Sequence, residues 1–220
     1  MATMAIGLAG LGVSIAVAAS SPAPQLRFHA IAPSLTRAEI PTPTPSPTPP
    51  PAPYAGPVAS LYLASAGITD ASPVEQRGTK NLSGHEVFDD PSAPGNIAWY
   101  SDPRFGHPGF GGQNSIFSGH INYFHYGNGP FANLLSAQVG GALYVTMDNG
   151  TQYAYTVESV SLVPVDQLNS GGMDAIVFPD LDSHTERVTL ISCGGDFVPY
   201  AGGGGEYTSR VVLVAERWVP

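Results

Sequence analysis

The sequence has only one cysteine, Cys193, among its 220 residues. A single cysteine excludes an intrachain disulfide, and it also excludes any zinc site that requires two thiolates. A lone cysteine is most often a small, buried hydrophobic residue. The alternatives are an interchain disulfide or a reactive thiol, so the residues around Cys193 must decide its role.

Basic residues are also scarce. The chain has 8 Lys and Arg residues against 17 Asp and Glu residues, which gives a formal net charge of −9. Its single lysine is Lys80, and no basic cluster occurs. Binding to nucleic acid or to an anionic membrane surface depends on clustered positive charge. The composition therefore predicts that nucleic acid is not a partner.

The first 26 residues contain no charged side chain, and residues 1–19 are largely apolar. A run of about 18 apolar residues is long enough to span a bilayer as a helix. The run lacks the basic residues that normally begin a signal peptide. We expect residues 1–26 to form a hydrophobic helix that anchors the protein in the cell membrane, single-pass, with the remainder extracytoplasmic. A cleaved signal peptide and a secreted protein are the alternative.

Proline dominates the next segment, residues 27–57. Its centre, residues 41–53, reads PTPTPSPTPPPAP. Alternation of Pro with Thr or Ser favours an extended polyproline-like chain that acts as a spacer. Such a composition is also typical of glycosylated stalks and of ligands for proline-binding modules. The sequence predicts an extended linker between the anchor and a folded domain.

Residues 58–220 show the two-residue alternation of β-strands, most clearly around Tyr153 and Tyr155. Asn149-Gly150 lies between two such runs and predicts a β-hairpin turn. The clearest helical run is 131–138. Many short strands separated by turns favour an all-β barrel or sandwich. The strand candidates are 60–64, 115–119, 142–147, 152–158, 187–193 and 207–217.

Three residues in this domain suggest chemistry. Cys193 ends a strand-like run and precedes two glycines, so its thiol is expected at an accessible strand end. His120 ends another such run, and imidazole is the side chain best suited to proton exchange near neutral pH. Arg210 enters an apolar strand, where a guanidinium needs a partner unless it faces solvent at a sheet edge. Taken one at a time, these signals are weak.

The segments SGHINYF, TLISCGG and YTSRVVLVAE together resemble the His, Thr-Leu-x-Thr-Cys and Arg motifs of sortases, in order and in spacing. The chain is most similar to sortase classes E and F. The resemblance implies a closed eight-stranded β-barrel with a few short helices and an active site at one end of the strands. It also implies that Cys193 is the nucleophile, that His120 is the general acid and that Arg210 stabilises the oxyanion. Ser192 replaces the usual threonine and keeps the hydroxyl that supports substrate and oxyanion.

The implied activity is that of a cysteine transpeptidase that cleaves an LPxTG-like sorting signal between Thr and Gly. The acyl group would pass to an amine of a peptidoglycan precursor or of a pilin, and neither a metal nor an organic cofactor is required. The second residue of the signal, Pro or Ala, stays open. Asn114 and Asn122 are both candidates to orient His120, while Glu206 is expected to be a solvated loop charge.

Two other interpretations compete with this one. L,D-transpeptidases also use a cysteine and a histidine, but that family places its histidine close upstream of the cysteine, unlike His120 and Cys193. A non-catalytic β-domain displayed on a stalk, with a buried inert thiol, fits the anchor, the linker and the strand pattern equally well. Only the His, Cys and Arg motifs argue against this display domain.

Overall fold

The computed structural model describes residues 52–220, so the predicted anchor and most of the predicted Pro-rich linker lie outside the described residues. Within this range no helix is long and apolar enough to cross a bilayer. The strands are β1 (Val58–Tyr62), β2 (Val74–Arg77), β3 (Thr79–Leu82), β4 (His85–Phe88), β5 (Ile97–Tyr100), β6 (Asn114–Gly119), β7 (Asn122–Tyr123), β8 (Gly127–Asn128), β9 (Ala142–Met147), β10 (Gln152–Pro164), β11 (Thr185–Pro199) and β12 (Gly205–Trp218).

Helical structure is short and mostly lies between β10 and β11. Helix α1 (Val165–Gln167) and helix α2 (Met173–Val177) are joined by one π-helical turn, Leu168–Gly172. Gly171 has φ +96° there, so the helix is kinked. The helix predicted at 131–138 is wrong, because only the 3-10 turn Leu134–Ser136 forms. The helices α1 and α2 were not predicted, because the Asn-Ser-Gly-Gly run at their centre is typical of a loop.

Eight strands form one sheet in the order β1-β9-β10-β12-β11-β6-β5-β2. Its pairs are antiparallel except β6 with β11 and β2 with β5, which are parallel. The two end strands, β1 and β2, contact each other, and within the segment that connects them Leu63 and Ile68 exchange backbone hydrogen bonds of 3.0 and 3.1 Å. The sheet is therefore a nearly closed barrel, and the predicted all-β, eight-stranded barrel is confirmed.

The barrel strands bury side chains on both faces where β5, β6 and β11 meet. Successive side chains of a strand point to opposite faces, so alternate residues fill separate clusters. The cluster inside the barrel includes Phe117 and Leu190. The cluster on the outer face is covered by α2 and consists of Ala98, Tyr100, Phe105, Ile116, Val177 and Ile191. The candidate site lies next to this outer cluster, on the same face of the sheet.

Both ends of the described chain meet the barrel at the same end. Val58 pairs with Met147 beside the turn between β9 and β10, where Gly150 has φ +85° and the predicted hairpin at Asn149-Gly150 is confirmed. Trp218, at the end of β12, pairs with the first residue of β11. Cys193 lies eight residues further along β11, toward the opposite end of the barrel.

A buried carboxylate stabilises the end of the barrel where the chain enters and leaves. Glu186 has no exposed surface, and it accepts hydrogen bonds from the Gly109 amide (2.6 Å), the Tyr155 hydroxyl and the Arg217 guanidinium (2.6 Å). The Arg217 guanidinium also lies 4.7 Å from the Tyr153 ring centroid. A buried charge is tolerated when it is paired and fully hydrogen-bonded, as it is here.

We predict that Arg217→Met destabilises the fold, because the substitution leaves Glu186 as an unpaired buried charge. Breaking a buried ion pair from one side costs about 3–5 kcal/mol, which corresponds to a melting temperature lower by about 10 °C in a domain of this size. Thermal unfolding monitored by circular dichroism measures the change. Arg104→Met, which removes an exposed ion pair with Glu86, is the matched control and should change the melting temperature little. Equal shifts in the two variants would contradict the assignment.

Candidate functional site

Cys193 and Arg210 are directly opposed partners in the antiparallel ladder of β11 and β12. Opposed residues in such a ladder project their side chains from the same face of the sheet. Cys193 lies two residues beyond Ile191, a member of the outer cluster, so this face is the outside of the barrel. The thiol is partly exposed. The ladder therefore places a cation beside an accessible thiol.

Cys193 does not end its strand, and the prediction that it would is wrong. β11 continues to Pro199 and pairs with β12, with a register shift between Gly194 and Phe197. Gly195 at this irregularity has φ +79°, and a side chain there would approach the Thr208 hydroxyl to 2.7 Å. The glycines after the cysteine thus form a bulge within a hairpin, and a bulge bends the strand next to the thiol.

His120 follows directly after β6. In the parallel pairing of β6 with β11, Ser118 is the partner of Ile191, so two further residues on each strand bring His120 level with Cys193. The imidazole is half-buried, with the Tyr123 ring edge-on at 5.2 Å. The Gly129 backbone packs so closely on His120 that a Cβ atom there would lie 2.2 Å from its carbonyl oxygen. Only glycine fits at this contact, which holds His120 against the following hairpin.

The Arg210 guanidinium is fixed along its own strand. Its Nη1 group donates to the carbonyl oxygens of Tyr207 and Ser209, and its Nη2 group donates to Glu206 Oε1, each at 3.0 Å. A guanidinium has five N–H donors, so two are left for another acceptor. Glu206 is thus the partner of Arg210 and not a free loop charge as predicted. The signal was their four-residue spacing, which places both on one face of a strand.

Burial and neighbouring charges shift the pKa values of both Cys193 and His120. Burial raises the pKa of Cys193, the Arg210 guanidinium lowers it, and the carboxylates of Asp90 and Glu206 raise it. Burial lowers the pKa of His120, and Asp90 opposes this shift. A neutral thiol and a neutral imidazole are the favoured resting forms at neutral pH.

The remaining predicted site residues lie away from the imidazole. Ser192 is buried, on the opposite face of β11 from Cys193, and its hydroxyl donates to the Cys193 carbonyl oxygen at 3.1 Å. Asn114 is at the start of β6, where its amide donates to the Ile176 and Val177 carbonyls. Asn122 donates to the Tyr207 hydroxyl at 2.6 Å. Neither asparagine side chain is hydrogen-bonded to His120.

No group of three His, Cys, Asp or Glu side chains in the described part of the chain is arranged to hold a metal ion. What the arrangement offers is a partly exposed thiol, a proton-exchanging imidazole at the same level of the sheet and a cation with free donors. This set can perform acyl transfer through a thioester: the thiol attacks a carbonyl, the cation stabilises the oxyanion and the imidazole moves protons.

The fold is a β-barrel, and the thiol, imidazole and guanidinium of the site are the set of groups that a cysteine acyltransferase requires. The sortase domain model matches residues 73–218, which is more than half of the chain, and the chain belongs to the sortase family, whose members are cysteine transpeptidases. No curated protein sequence matches significantly.

Solved structures similar to this chain include three sortases. The SrtA sortase from Actinomyces oris is 20% identical, with a TM-score of 0.50 over 77% of this chain and 86% of that chain. A sortase D5 transpeptidase from Clostridium perfringens is 13% identical, with a TM-score of 0.46 over 74% and 79% of the two chains. A lid mutant of sortase A from Corynebacterium diphtheriae is 19% identical, with a TM-score of 0.45 over 74% and 70%.

We predict opposite effects of two charge substitutions on the pH dependence of Cys193 alkylation. Arg210→Ala removes the cation that lowers the pKa of the thiol, so the midpoint of the iodoacetamide rate profile should move to higher pH. Asp90→Asn removes a carboxylate that raises this pKa, so the midpoint should move to lower pH. Mass spectrometry of samples quenched at fixed times, across a series of pH values, measures the alkylation rates of both variants. Asp180→Asn, at an exposed position before β11, is the control, and shifts of the same sign in the first two variants would refute the electrostatic description.

Proposed function

We propose that this sortase cleaves an LPxTG-like sorting signal between Thr and Gly, with Cys193 as nucleophile, and transfers the acyl group to an amine of a peptidoglycan precursor or a pilin. The observation that carries the proposal is the direct cross-strand pairing of Cys193 with Arg210, with His120 level with them directly after the neighbouring strand β6. Family membership supports the reaction class.

In the first half of the reaction, the Cys193 thiol transfers its proton to His120, and the thiolate attacks the threonyl carbonyl carbon. The carbonyl oxygen gains negative charge as the C–S bond forms. Arg210 has two N–H donors not used by Glu206 or the strand carbonyls, and these stabilise the oxyanion. The intermediate collapses when the C–N bond breaks, and the His120 imidazolium returns the proton to the departing glycyl amine.

In the second half, the acceptor amine attacks the thioester carbonyl. His120 takes a proton from the attacking amine, the C–S bond breaks, and the proton passes to the Cys193 sulfur. Attack by water in place of the amine gives hydrolysis. Ser192 supports the reaction indirectly, because its hydroxyl fixes the carbonyl group of the nucleophile's own residue.

The surface beside the thiol suits an extended peptide with apolar residues. On the outer face, Ile191, one strand repeat before Cys193, is buried, and Met173 of the helical segment packs against the same cluster and stays partly exposed. Val163 on β10 is the register partner of Arg210 on its other side. Apolar contacts of this kind provide the area that binds a Leu-Pro or Leu-Ala segment, while the pair Cys193 and Arg210 engages the threonyl carbonyl.

We further propose that residues 1–26 anchor the enzyme in the cell membrane and that the barrel works on the extracytoplasmic side. The uncharged, apolar run and the Pro-rich segment after it support this placement. Among the described residues, the chain enters the barrel at the end away from Cys193.

The proposal predicts a thioester between Cys193 and a Thr-terminated peptide. The full-length protein is incubated with Leu-Pro-x-Thr-Gly, Leu-Ala-x-Thr-Gly or a scrambled peptide, with and without an amine acceptor, and products are identified by mass spectrometry. Cys193→Ala should abolish turnover. Arg210→Ala should lower kcat/KM about 100- to 1,000-fold, as expected for loss of an oxyanion donor. His120→Ala should lower it about 100- to 10,000-fold, as expected for loss of a general acid and base.

Matched control substitutions remove the same residue types elsewhere. Arg104→Ala and His184→Ala lie in loops at the other end of the barrel and should keep wild-type turnover. A wild-type protein that forms no thioester with either sorting signal, and whose thiol resists iodoacetamide at all pH values, would favour the display domain with an inert thiol.

A further inference from the structure

The three proposed catalytic positions are joined by one residue to which no role has been assigned, Tyr207, at the start of the Arg210 segment. Its carbonyl oxygen accepts a hydrogen bond from Arg210 at 3.0 Å. Its hydroxyl accepts one from the Asn122 side chain at 2.6 Å, and Asn122 is two residues beyond His120. Its ring lies edge-on to Phe197, four residues beyond Cys193, with centroids 5.2 Å apart. Tyr207 thus contacts all three of the chain segments that carry the proposed chemistry.

The hydrogen bond between Asn122 and Tyr207 crosses a gap that the barrel ladder does not bridge. β6 ends at Gly119, before His120, and β7 with β8 forms a separate two-stranded sheet. The last barrel pair between β6 and β11 is Ser118 with Ile191. Beyond that pair, Gly119 still pairs with Ile97 of β5, and His120 is held by the chain that follows it, including the Phe131 amide, which donates to the His120 carbonyl oxygen at 3.1 Å, and by contacts of the hairpin. The side chain of Asn122 supplies one such contact, directed at the strand that carries Arg210.

We propose that Tyr207 is a positioning residue: through its hydroxyl it holds the hairpin after His120 at a fixed position relative to Arg210 and Cys193. This proposal rests on the proposed function for its kinetic consequence, but its geometric consequence concerns the site alone. The Tyr207 hydroxyl does not touch the reacting atoms. Its effect is to keep an imidazole and a guanidinium, on separate elements, in place for the same intermediate.

Removing the bond should lower turnover without unfolding the protein, because the hydrogen bond between Asn122 and Tyr207 is exposed to solvent. Tyr207→Phe keeps the ring on Phe197 and the carbonyl that accepts from Arg210, and it removes only the hydroxyl. Asn122→Ala removes the donor. We expect each to lower kcat about 10-fold, since a displacement of about 1 Å costs up to about 100-fold, while KM changes less than twofold. The double variant should lose no more than either single variant, because all three lack the same bond.

Tyr126→Phe is the matched control. Tyr126 is on the same hairpin and is 56% exposed, and its hydroxyl lies against Gly95 and not against β12. It should keep wild-type kcat, and all variants should keep the wild-type melting temperature. The proposal is overturned if Tyr207→Phe keeps wild-type kcat, if the losses of the two single variants multiply in the double variant, or if loss of activity follows a loss of folded protein.

Chemical modification of His120 separates failure of this proposal from failure of the proposed function. Diethylpyrocarbonate acylates accessible imidazoles and requires no sorting signal, so it reports on the site even if the wild-type protein forms no thioester with a peptide. Tyr207→Phe and Asn122→Ala should each speed the modification of the half-buried His120, measured on its peptide by mass spectrometry, because the hairpin that follows His120 is no longer bonded to β12. His120 modification rates identical to those of the wild type and Tyr126→Phe would overturn the positioning role.

Discussion

The pairing of β11 with its two neighbours is the constraint on which the site depends. β11 is antiparallel to β12, which sets Cys193 opposite Arg210, and parallel to β6, which brings His120 to the same level. A slip of one residue would move every side chain of a strand to the other face. The fully buried residues Phe117, Leu190 and Leu213 inside the barrel prevent such a slip, because they cannot be exposed without losing the core. Ordinary core packing thus fixes the relative positions of residues that are far apart in sequence.

The surroundings of the thiol make it accessible without making it permanently ionised. One cation, Arg210, favours the thiolate, while burial and the carboxylates of Asp90 and Glu206 oppose it. Glu206 has a double role, since it also holds the guanidinium in place. Burial therefore favours a neutral thiol and a neutral imidazole in this site. The same carboxylate that disfavours the thiolate therefore orders the Arg210 guanidinium.

The two ends of the barrel differ in their side-chain contacts and in the regularity of their backbone. At the end where the chain enters and leaves, Glu186, Tyr155 and Arg217 form a buried, mutually satisfied network that contributes stability. At the other end, the strands continue into hairpins beyond the closed ladder, and the site residues lie where β6 has stopped and β11 is bulged. The backbone at that end is therefore irregular, in contrast to the regular ladder of the barrel.

Much of this was accessible from the sequence. The alternation of apolar residues predicted most of the barrel strands, Asn149-Gly150 predicted a hairpin, and the spaced His, Cys and Arg motifs predicted the family. These signals are local, or they are short motifs in a fixed order, so they can be recognised without knowledge of the fold. The helical segment after β10 and the true ends of β11 and β12 were missed, because glycine-rich stretches indicate loops unless a neighbouring strand pairs with them.

Residue identity and order determined the class of chemistry, since only one thiol exists and its motif partners are recognisable. Tertiary structure alone decided that Arg210 is the direct cross-strand partner of Cys193, that Glu206 pairs with Arg210, and that Asn122 reaches Tyr207 instead of His120. The physical reason is that register and hydrogen-bond partners between distant segments depend on the packing of the whole barrel, which no local pattern of residues encodes.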